Sequence, residues 1–188
     1  MVLAAGASRR LGEPKQLVRL DGETLVERAV RICREAGCAP VIVVLGAFAE
    51  QIRQRCSWGD ALVVINERWT EGMGTSVALG IGALSNDVEG CLVLTCDQPA
   101  VSTEHLRDLI KTGRLTASSY AGRRGVPAFF PTFRFPELLQ LEGDAGARVM
   151  LRDAEALPLS NGELDIDTPE DLEQAVWLLT HDRADEKR

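Results

Sequence analysis

Short aliphatic runs alternate along this chain with segments whose apolar residues recur at helical spacing, and nothing else in the sequence constrains the fold as tightly. Met1–Ala5 is an apolar start that ends in glycine, Val41–Leu45 is a β-branched run, and Leu62–Ile65 and Cys91–Cys96 are similar. Unbroken apolar runs of this length read as strands buried on both faces. The segments between them read as helices. Glu23–Glu35 carries Leu25, Val26, Ala29, Val30, Ile32 and Cys33 on one face, and Gly37 closes it. Ala49–Arg55 is a shorter helix, and Ser76–Leu84 is another despite Gly80 and Gly82. Ser102 caps a helix that reaches Lys111, with Glu104 in its first turn. Strands alternating with helices at this spacing form βαβ units around a parallel sheet. Aromatic residues make up only 5% of the 188, so Leu, Val, Ile and Ala must fill the core, which suits α/β packing. At about 100–200 residues per domain, the length is that of one domain.

Past residue 112 the rhythm changes. Ser118–Ala121 and Val126–Phe130 read as a hairpin joined by Gly122-Arg123-Arg124-Gly125. Two short helices are expected near Phe133–Gln140 and Gly146–Arg152, a last strand at Leu157–Leu159, and a final helix over Thr168–Leu179. Thr168 is its N-cap, Pro169 its first residue, and Asp171 takes the place that Glu or Gln holds in a capping box. The expected organisation is a single domain over residues 1–180 and a charged tail over 181–188, which frays.

Charge narrows the choice of partners. There are 21 bases against 28 acids, for a net charge of −7, which excludes nucleic acids and anionic membrane surfaces as partners. No stretch approaches the roughly 18–20 apolar residues of a membrane span. Arg9 and Arg10 follow the first apolar run, whereas a signal peptide has its cations before it. The charge is uneven. Residues 1–20 hold four bases and one acid, a local +3, and residues 161–188 hold nine acids and three bases, a local −6. Cys33, Cys38, Cys56, Cys91 and Cys96 include two pairs at C-x4-C spacing, which is not a common zinc spacing, and no His lies near them. They read as reduced thiols of a cytoplasmic protein. His105 and His181 stand apart from each other and from any Ser or Cys motif, which argues against a Ser/His/Asp or Cys/His nucleophile.

Ligands of an open parallel sheet bind beyond the carboxyl ends of its strands. The loop after the first strand is Ala4-Ala5-Gly6-Ala7-Ser8-Arg9-Arg10-Leu11-Gly12-Glu13-Pro14-Lys15. Small residues let backbone N–H groups approach a polyanion, and cations neutralise it. Read alone, the loop is either a phosphate site or a solvated turn. No Gly-Lys-Ser/Thr follows, so it is not a Walker loop, and glycines at 6 and 12 do not fit G-x-G-x-x-G. Asp97-Gln98-Pro99 puts a carboxylate where Mg²⁺ bridging to phosphate needs one, or else it caps a turn. Asp165 and Asp167 point to one side if extended. They either complete a metal site with Asp97 or simply lead into the Thr168 cap. Trp69-Thr70-Glu71-Gly72-Met73-Gly74-Thr75-Ser76 and Gly143-Asp144-Ala145-Gly146-Ala147-Arg148 each enter a helix. The first offers N–H groups and hydroxyls to a ribose or base, the second offers Arg148 to an anion, and either also reads as a tight helix entry.

Taken together, these segments resemble a known family. Leu3-Ala4-Ala5-Gly6-x-Ser8-x-Arg10-x-Gly12-x-Pro14-Lys15-x-Leu17 resembles the signature loop of the nucleotidyltransferases that activate sugars and cofactors with NTPs. Within that NTP-transferase superfamily the chain resembles the molybdenum cofactor cytidylyltransferase group. Glu71-Gly72-Met73-x-x-Ser76, Cys96-Asp97-Gln98-Pro99, Gly125-x-Pro127, Gly143-Asp144-x-Gly146-Ala147-Arg148 and Asp165-Ile166-Asp167-Thr168-Pro169-Glu170-Asp171-Leu172 follow in the family's order and span nearly the whole chain. The resemblance implies an α/β fold, a Rossmann-like three-layer sandwich. Its central sheet is mostly parallel, with a small β-hairpin/helix insertion in the C-terminal half. It implies that Leu3, Ala4, Ala5, Gly6 and Ser8 contact the nucleotide, that Arg10 and Lys15 bind its triphosphate, and that Gly72 and Ser76 lie near base or ribose. Asp97 and Asp167 would hold Mg²⁺, with Arg10, Lys15 and Asp97 catalytic, and Gly143, Asp144 and Arg148 would face the acceptor. Ala4-Ala5 looks like the cytidylyl branch, where guanylyl relatives tend to carry Ala-Gly-Gly. Only Met1, Val2 and Leu3 precede Ala4, which implies a short first strand or a start further upstream.

The implied reaction is in-line attack by a phosphate oxygen of the pterin cofactor on the α-phosphorus of CTP, releasing pyrophosphate. The acceptor is already an anion, so a general base is not required. Competing readings are the same chemistry on another acceptor, of guanylyl or sugar-phosphate type, and a non-catalytic protein that delivers the cofactor to a molybdoenzyme or its chaperone.

Overall fold

The computed structural model describes residues 1–8, 10–143 and 150–185, the side chains of 182–185 excepted. The first apolar run is strand β1 (Val2–Ala4). Beyond the loop and a 3₁₀ turn at Lys15–Leu17, two short strands pair antiparallel, β2 (Arg19–Leu20) and β3 (Glu23–Thr24). Helix α1 is therefore Leu25–Glu35, starting later than its spacing suggests. Thr24 fixes that start with a capping box: its hydroxyl accepts from the Glu27 N–H and the Glu27 carboxylate accepts from the Thr24 N–H. Next come β4 (Ile42–Leu45), α2 (Ala49–Arg55) and β5 (Leu62–Ile65), close to the expected bounds. Helix α3 spans Met73–Gly82, so its first turn precedes Ser76. Gly72, at φ +123°, swings the chain straight into that turn. Strand β6 (Gly90–Thr95) and helix α4 (Thr103–Lys111, capped by Ser102) follow.

The hairpin exists but its turn is shorter than expected. Strands β7 (Thr116–Tyr120) and β8 (Arg123–Pro131) leave only Ala121 and Gly122 between them. Both have positive φ, +47° and +73°, the geometry of a primed two-residue turn. Arg123, Arg124 and Gly125 are strand residues, not loop. Beyond a 3₁₀ turn at Thr132–Arg134 lies α5 (Phe135–Leu138). The helix expected at Gly146–Arg152 falls largely outside the described residues, with a 3₁₀ turn at Leu151–Asp153. Strand β9 is Glu155–Pro158.

The final helix, α6 (Pro169–Asp185), continues past the expected end at Leu179 into the charged segment. Thr180 and His181 support the extra turn by bonding to the Trp177 carbonyl at 2.8 Å each, and His181 stacks on the Trp177 ring. Thr168 and Asp171 form the expected reciprocal cap at its start.

The sheet runs β5-β4-β1-β6-β8-β7-β9, seven strands, with only β8 reversed against its neighbours. Alternate residues of β1 feed opposite faces. Val2 and Ala4 pack with Val26, Ala29, Val30, Leu106 and Leu109 of α1 and α4. Met1 and Leu3 pack with Val77, Ile81 and Leu138 of α3 and α5. The sheet is thus the middle of three layers. A third cluster pins α6 to the β2–β3 segment through Val18, Leu20, Leu25, Ile166, Ala175 and Leu178. Among the described residues no helix is long and apolar enough to cross a membrane. The chain proceeds from β1 to β4 and β5 on one side, then returns to β6 on the other. That reversal opens a crevice above the carboxyl ends of β1 and β6.

Candidate active site

The loop leaving β1 is shaped from beneath by Gln16. This side chain is fully buried, and its amide donates to the Ala4 carbonyl at 2.7 Å and the Gly6 carbonyl at 2.9 Å. Both carbonyls are thereby turned inward, and the loop's small side chains leave the crevice open. The Ser8 hydroxyl, on a residue at φ +49°, accepts from the Lys15 N–H at 2.9 Å and closes the loop on itself. The 3₁₀ turn then sends the Lys15 side chain back under the loop.

The Lys15 ammonium donates to Asp97, just beyond β6, and to Asp167 Oδ1 at 3.0 Å. Burial works to lower the Lys15 pKa, but the Asp97 carboxylate, with help from Asp167, overcomes it and holds the pKa above the usual lysine range. Lys15 is therefore a permanent cation at neutral pH. Asp167 also pairs with Arg10, whose side chain is 70% exposed at the rim. The Asp165–Asp167 strip is fastened to the site by the Ile166 N–H, which donates to the Asp97 carbonyl at 2.9 Å. Asp165 lies in the same field. Burial, and then the charges of Asp97 and Asp167 against the offsetting Lys15, push its pKa up to about 6.

Leu3, Ala4, Ala5, Gly6, Ser8, Lys15, Gly72, Ser76 and Asp97 line one cavity of about 420 Å³, which Trp69, Met73 and Cys96 help to wall. That size is in the range of small-ligand sites. Arg10 and Asp167 line an adjoining hollow with Asp165, Asp171 and Trp177. The Lys15–Asp167 contact joins the two. Gly143 stands elsewhere: its carbonyl accepts from the Gly74 N–H at 2.8 Å, under the start of α3. Asp144 and Arg148 lie outside the described residues.

Two residues that the sequence pattern passed over help build the site. Gln16 is one. Asn66, directly after β5, is the other: its amide donates to Thr75 Oγ1 at 2.8 Å and Ser76 Oγ at 2.9 Å, and its carbonyl oxygen accepts from the Arg68 N–H. Asn66 thus fixes the α3 entrance against β5. Its position just past a strand's carboxyl end was the available signal.

A divalent cation is chemically at home here. Asp97 Oδ1 is buried with no hydrogen-bond partner, so one lone-pair direction is left over beside a second carboxylate, Asp167. Among the described residues no three His, Cys, Asp or Glu side chains gather closely enough to cage a metal alone. That suits an ion which takes one or two carboxylates and completes its shell with water and substrate phosphates.

Comparison with known proteins agrees with this geometry. The model of a family described as the MobA-like NTP transferase domain matches residues 1–158. A protein named nicotine blue oxidoreductase, from Paenarthrobacter nicotinovorans, is 36% identical over 81% of this chain and 80% of its own. The “Probable molybdenum cofactor guanylyltransferase” of Opitutus terrae is 38% identical over 60% of this chain and 54% of its own. Among solved structures, Rv0371c from Mycobacterium tuberculosis superposes with a TM-score of 0.81 at 28% identity, covering 93% of this chain and 95% of that one. The same protein has been crystallised in complex with manganese.

Proposed function

The chain belongs to the MobA-like NTP transferase family, and from that premise we propose that it moves a CMP group from CTP to the terminal phosphate of a molybdopterin-type cofactor, releasing pyrophosphate. The observation that carries the reading is the Lys15 ammonium held by Asp97 and Asp167 at the edge of a cavity whose wall is the Leu3–Ser8 backbone. Main-chain groups of that wall receive the nucleotide, and Ser76, set by Asn66, borders it. Lys15 stays protonated and places a fixed cation where charge builds on the α-phosphate and the leaving pyrophosphate. Arg10, on the rim, meets the outer phosphates. Asp97 and Asp167 hold the divalent ion, Mg²⁺ in this reading, which neutralises phosphate charge when bound. Attack needs alignment more than proton transfer, because the acceptor phosphate is already anionic. Cytidine is preferred on the strength of Ala4-Ala5, which lie on the cavity wall. The manganese complex of Rv0371c supports the use of a divalent metal. The guanylyltransferase relative supports the pterin acceptor and keeps GTP as the competing nucleotide. A cytoplasmic setting for the reaction is the reading that the free cysteines support.

The test is pyrophosphate release from CTP, GTP, ATP and UTP with Mg²⁺ and molybdopterin, run beside oxidation of a reduced nicotinamide. CTP-dependent release supports the proposal. Release with GTP alone overturns the choice of base. Electron transfer with no release overturns the transferase reading in favour of the chemistry named for the Paenarthrobacter relative.

A further inference from the structure

We propose that Cys33 and Cys38 form a peroxide-reactive dithiol that closes to a reversible intrachain disulfide, at a second site on the edge of the sheet opposite the nucleotide cavity. Cys33 sits in the last turn of α1 and Cys38 just beyond it. Gly37, at φ +94°, folds the chain back, and the Cys38 N–H donates to the Cys33 carbonyl at 3.0 Å. This 6→1 closure of the helix end brings the two backbones together, at positions whose side chains commonly touch. Each thiol lies within the electrostatic reach of the other, and Cys38 packs against the core cluster that contains Cys33.

Their environments divide the labour. Cys33 is fully buried in the core between α1 and the sheet. Cys38 is partly exposed and lines an open cavity of about 650 Å³ with Gly37, Ala39, Ser85 and Glu89, at the amino ends of β4 and β6. The neighbouring Cys33 thiol, against the opposing effect of burial, lowers the Cys38 pKa, while the Cys38 neighbour and burial hold Cys33 as a thiol. An accessible low-pKa thiolate beside a protonated partner is the arrangement of an attacking and a resolving cysteine.

The chemistry balances with hydrogen peroxide as oxidant. The Cys38 thiolate attacks one peroxide oxygen, the O–O bond breaks, and hydroxide leaves to be protonated, giving a sulfenic acid. The Cys33 thiol then attacks that sulfur, the S–O bond breaks, and water leaves as the S–S bond forms. Two thiols and one peroxide become one disulfide and two waters. A thiol reductant reverses the change by exchange.

Reduced protein is treated with one equivalent of hydrogen peroxide, its remaining thiols are blocked with N-ethylmaleimide, and its peptides are mapped by mass spectrometry. A Cys33–Cys38 cross-link is expected, removable by dithiothreitol, with Cys56, Cys91 and Cys96 alkylated. In Cys33→Ala, dimedone should trap a sulfenic acid at Cys38. At pH 7 Cys38 should react with iodoacetamide roughly tenfold faster than Cys56, whose pKa burial raises. Both cysteines remaining alkylatable, first oxidation at Cys56, or a Cys38–Cys91 bond would each overturn the proposal. The wild-type map decides the matter even if Cys33→Ala fails to fold.

Discussion

Side-chain roles separate cleanly by what each residue touches. In the proposed reaction Lys15 meets the reacting phosphates, and its ammonium bonds carboxylates and, among the described residues, no main-chain group, so its loss should injure catalysis far more than the fold. Lys15→Ala is expected to lower kcat by about 10²–10³ with an unchanged circular dichroism spectrum. A comparable turnover in the purified variant would remove Lys15 from the chemistry. Gln16 is the opposite case. It contacts no substrate in our reading, yet two loop carbonyls depend on its amide. Gln16→Leu would strand both, and buried unpaired acceptors cost about 1–3 kcal/mol each. The loop should relax, with KM for the nucleotide rising more than kcat falls, and Gln16→Asn should not rescue it because the shorter arm cannot span both carbonyls. Steady-state kinetics over a nucleotide titration separate the two parameters.

Elements show where local chemistry decides geometry. Gly74 begins α3 so close to the neighbouring segment that a Cβ would meet the Gly143 carbonyl at 2.7 Å. Gly74→Ala should therefore unseat the helix entrance, breaking the 2.8 Å bond between Gly74 and Gly143 and displacing Ser76. A loss of about 1–3 kcal/mol in urea unfolding is expected; an unchanged midpoint would show that the segment yields freely. This contact also marks the limit of the sequence. The strands β4 and β6 were legible because burial on both faces writes an unbroken apolar run; β5 carries a similar run, yet it lies at the sheet edge with Leu62 and Ile65 exposed. Helix α4 was legible at both ends because its cap and spacing agree; α1 was read from spacing and α6 from its cap, which left the start of α1 and the end of α6 misplaced. The start of α3 was not, because its boundary depends on a carbonyl about seventy residues away and its glycines weaken the local signal. The hairpin turn was overestimated for a related reason: glycines at 122 and 125 look alike in sequence. Gly122 has positive φ, whereas Gly125 lies where a Cβ would strike Tyr120. At the site, Lys15, Asp97 and Asp167 were legible from their positions after strands and in the motifs. Gln16 was not, because a buried amide bonded to main chain leaves no mark in composition or charge.

Across the whole molecule the acids of the C-terminal third matter as a field. Asp165 has a native pKa raised from 3.8 to about 6, so the folded protein binds its proton more tightly than the unfolded chain does. Its contribution to stability is therefore best below about pH 4 and is lost as pH rises through 6. In the absence of divalent cations, Asp165→Asn should stabilise the protein at pH 8 by about 1 kcal/mol after allowance for solvent screening. That advantage should fade by pH 4 in urea melts run across the range, and an equal gain at both pH values would contradict the charge argument. Saturating nucleotide with Mg²⁺ should raise stability by about 2.7 kcal/mol at 100 times its dissociation constant, read as a higher melting temperature. The single reversed strand carries a different consequence. Because β8 opposes β6, the β7–β8 turn returns to the rim that holds the site, and Arg123 stands beyond the last residue of β6, over the Tyr120 ring. A parallel crossover would have carried that turn to the far edge. The sheet is in effect two machines sharing one seam. In the proposed reaction the β5-β4-β1-β6 half serves the nucleotide, which would leave the β8-β7-β9 half to vary with the recipient without disturbing the lysine beneath it.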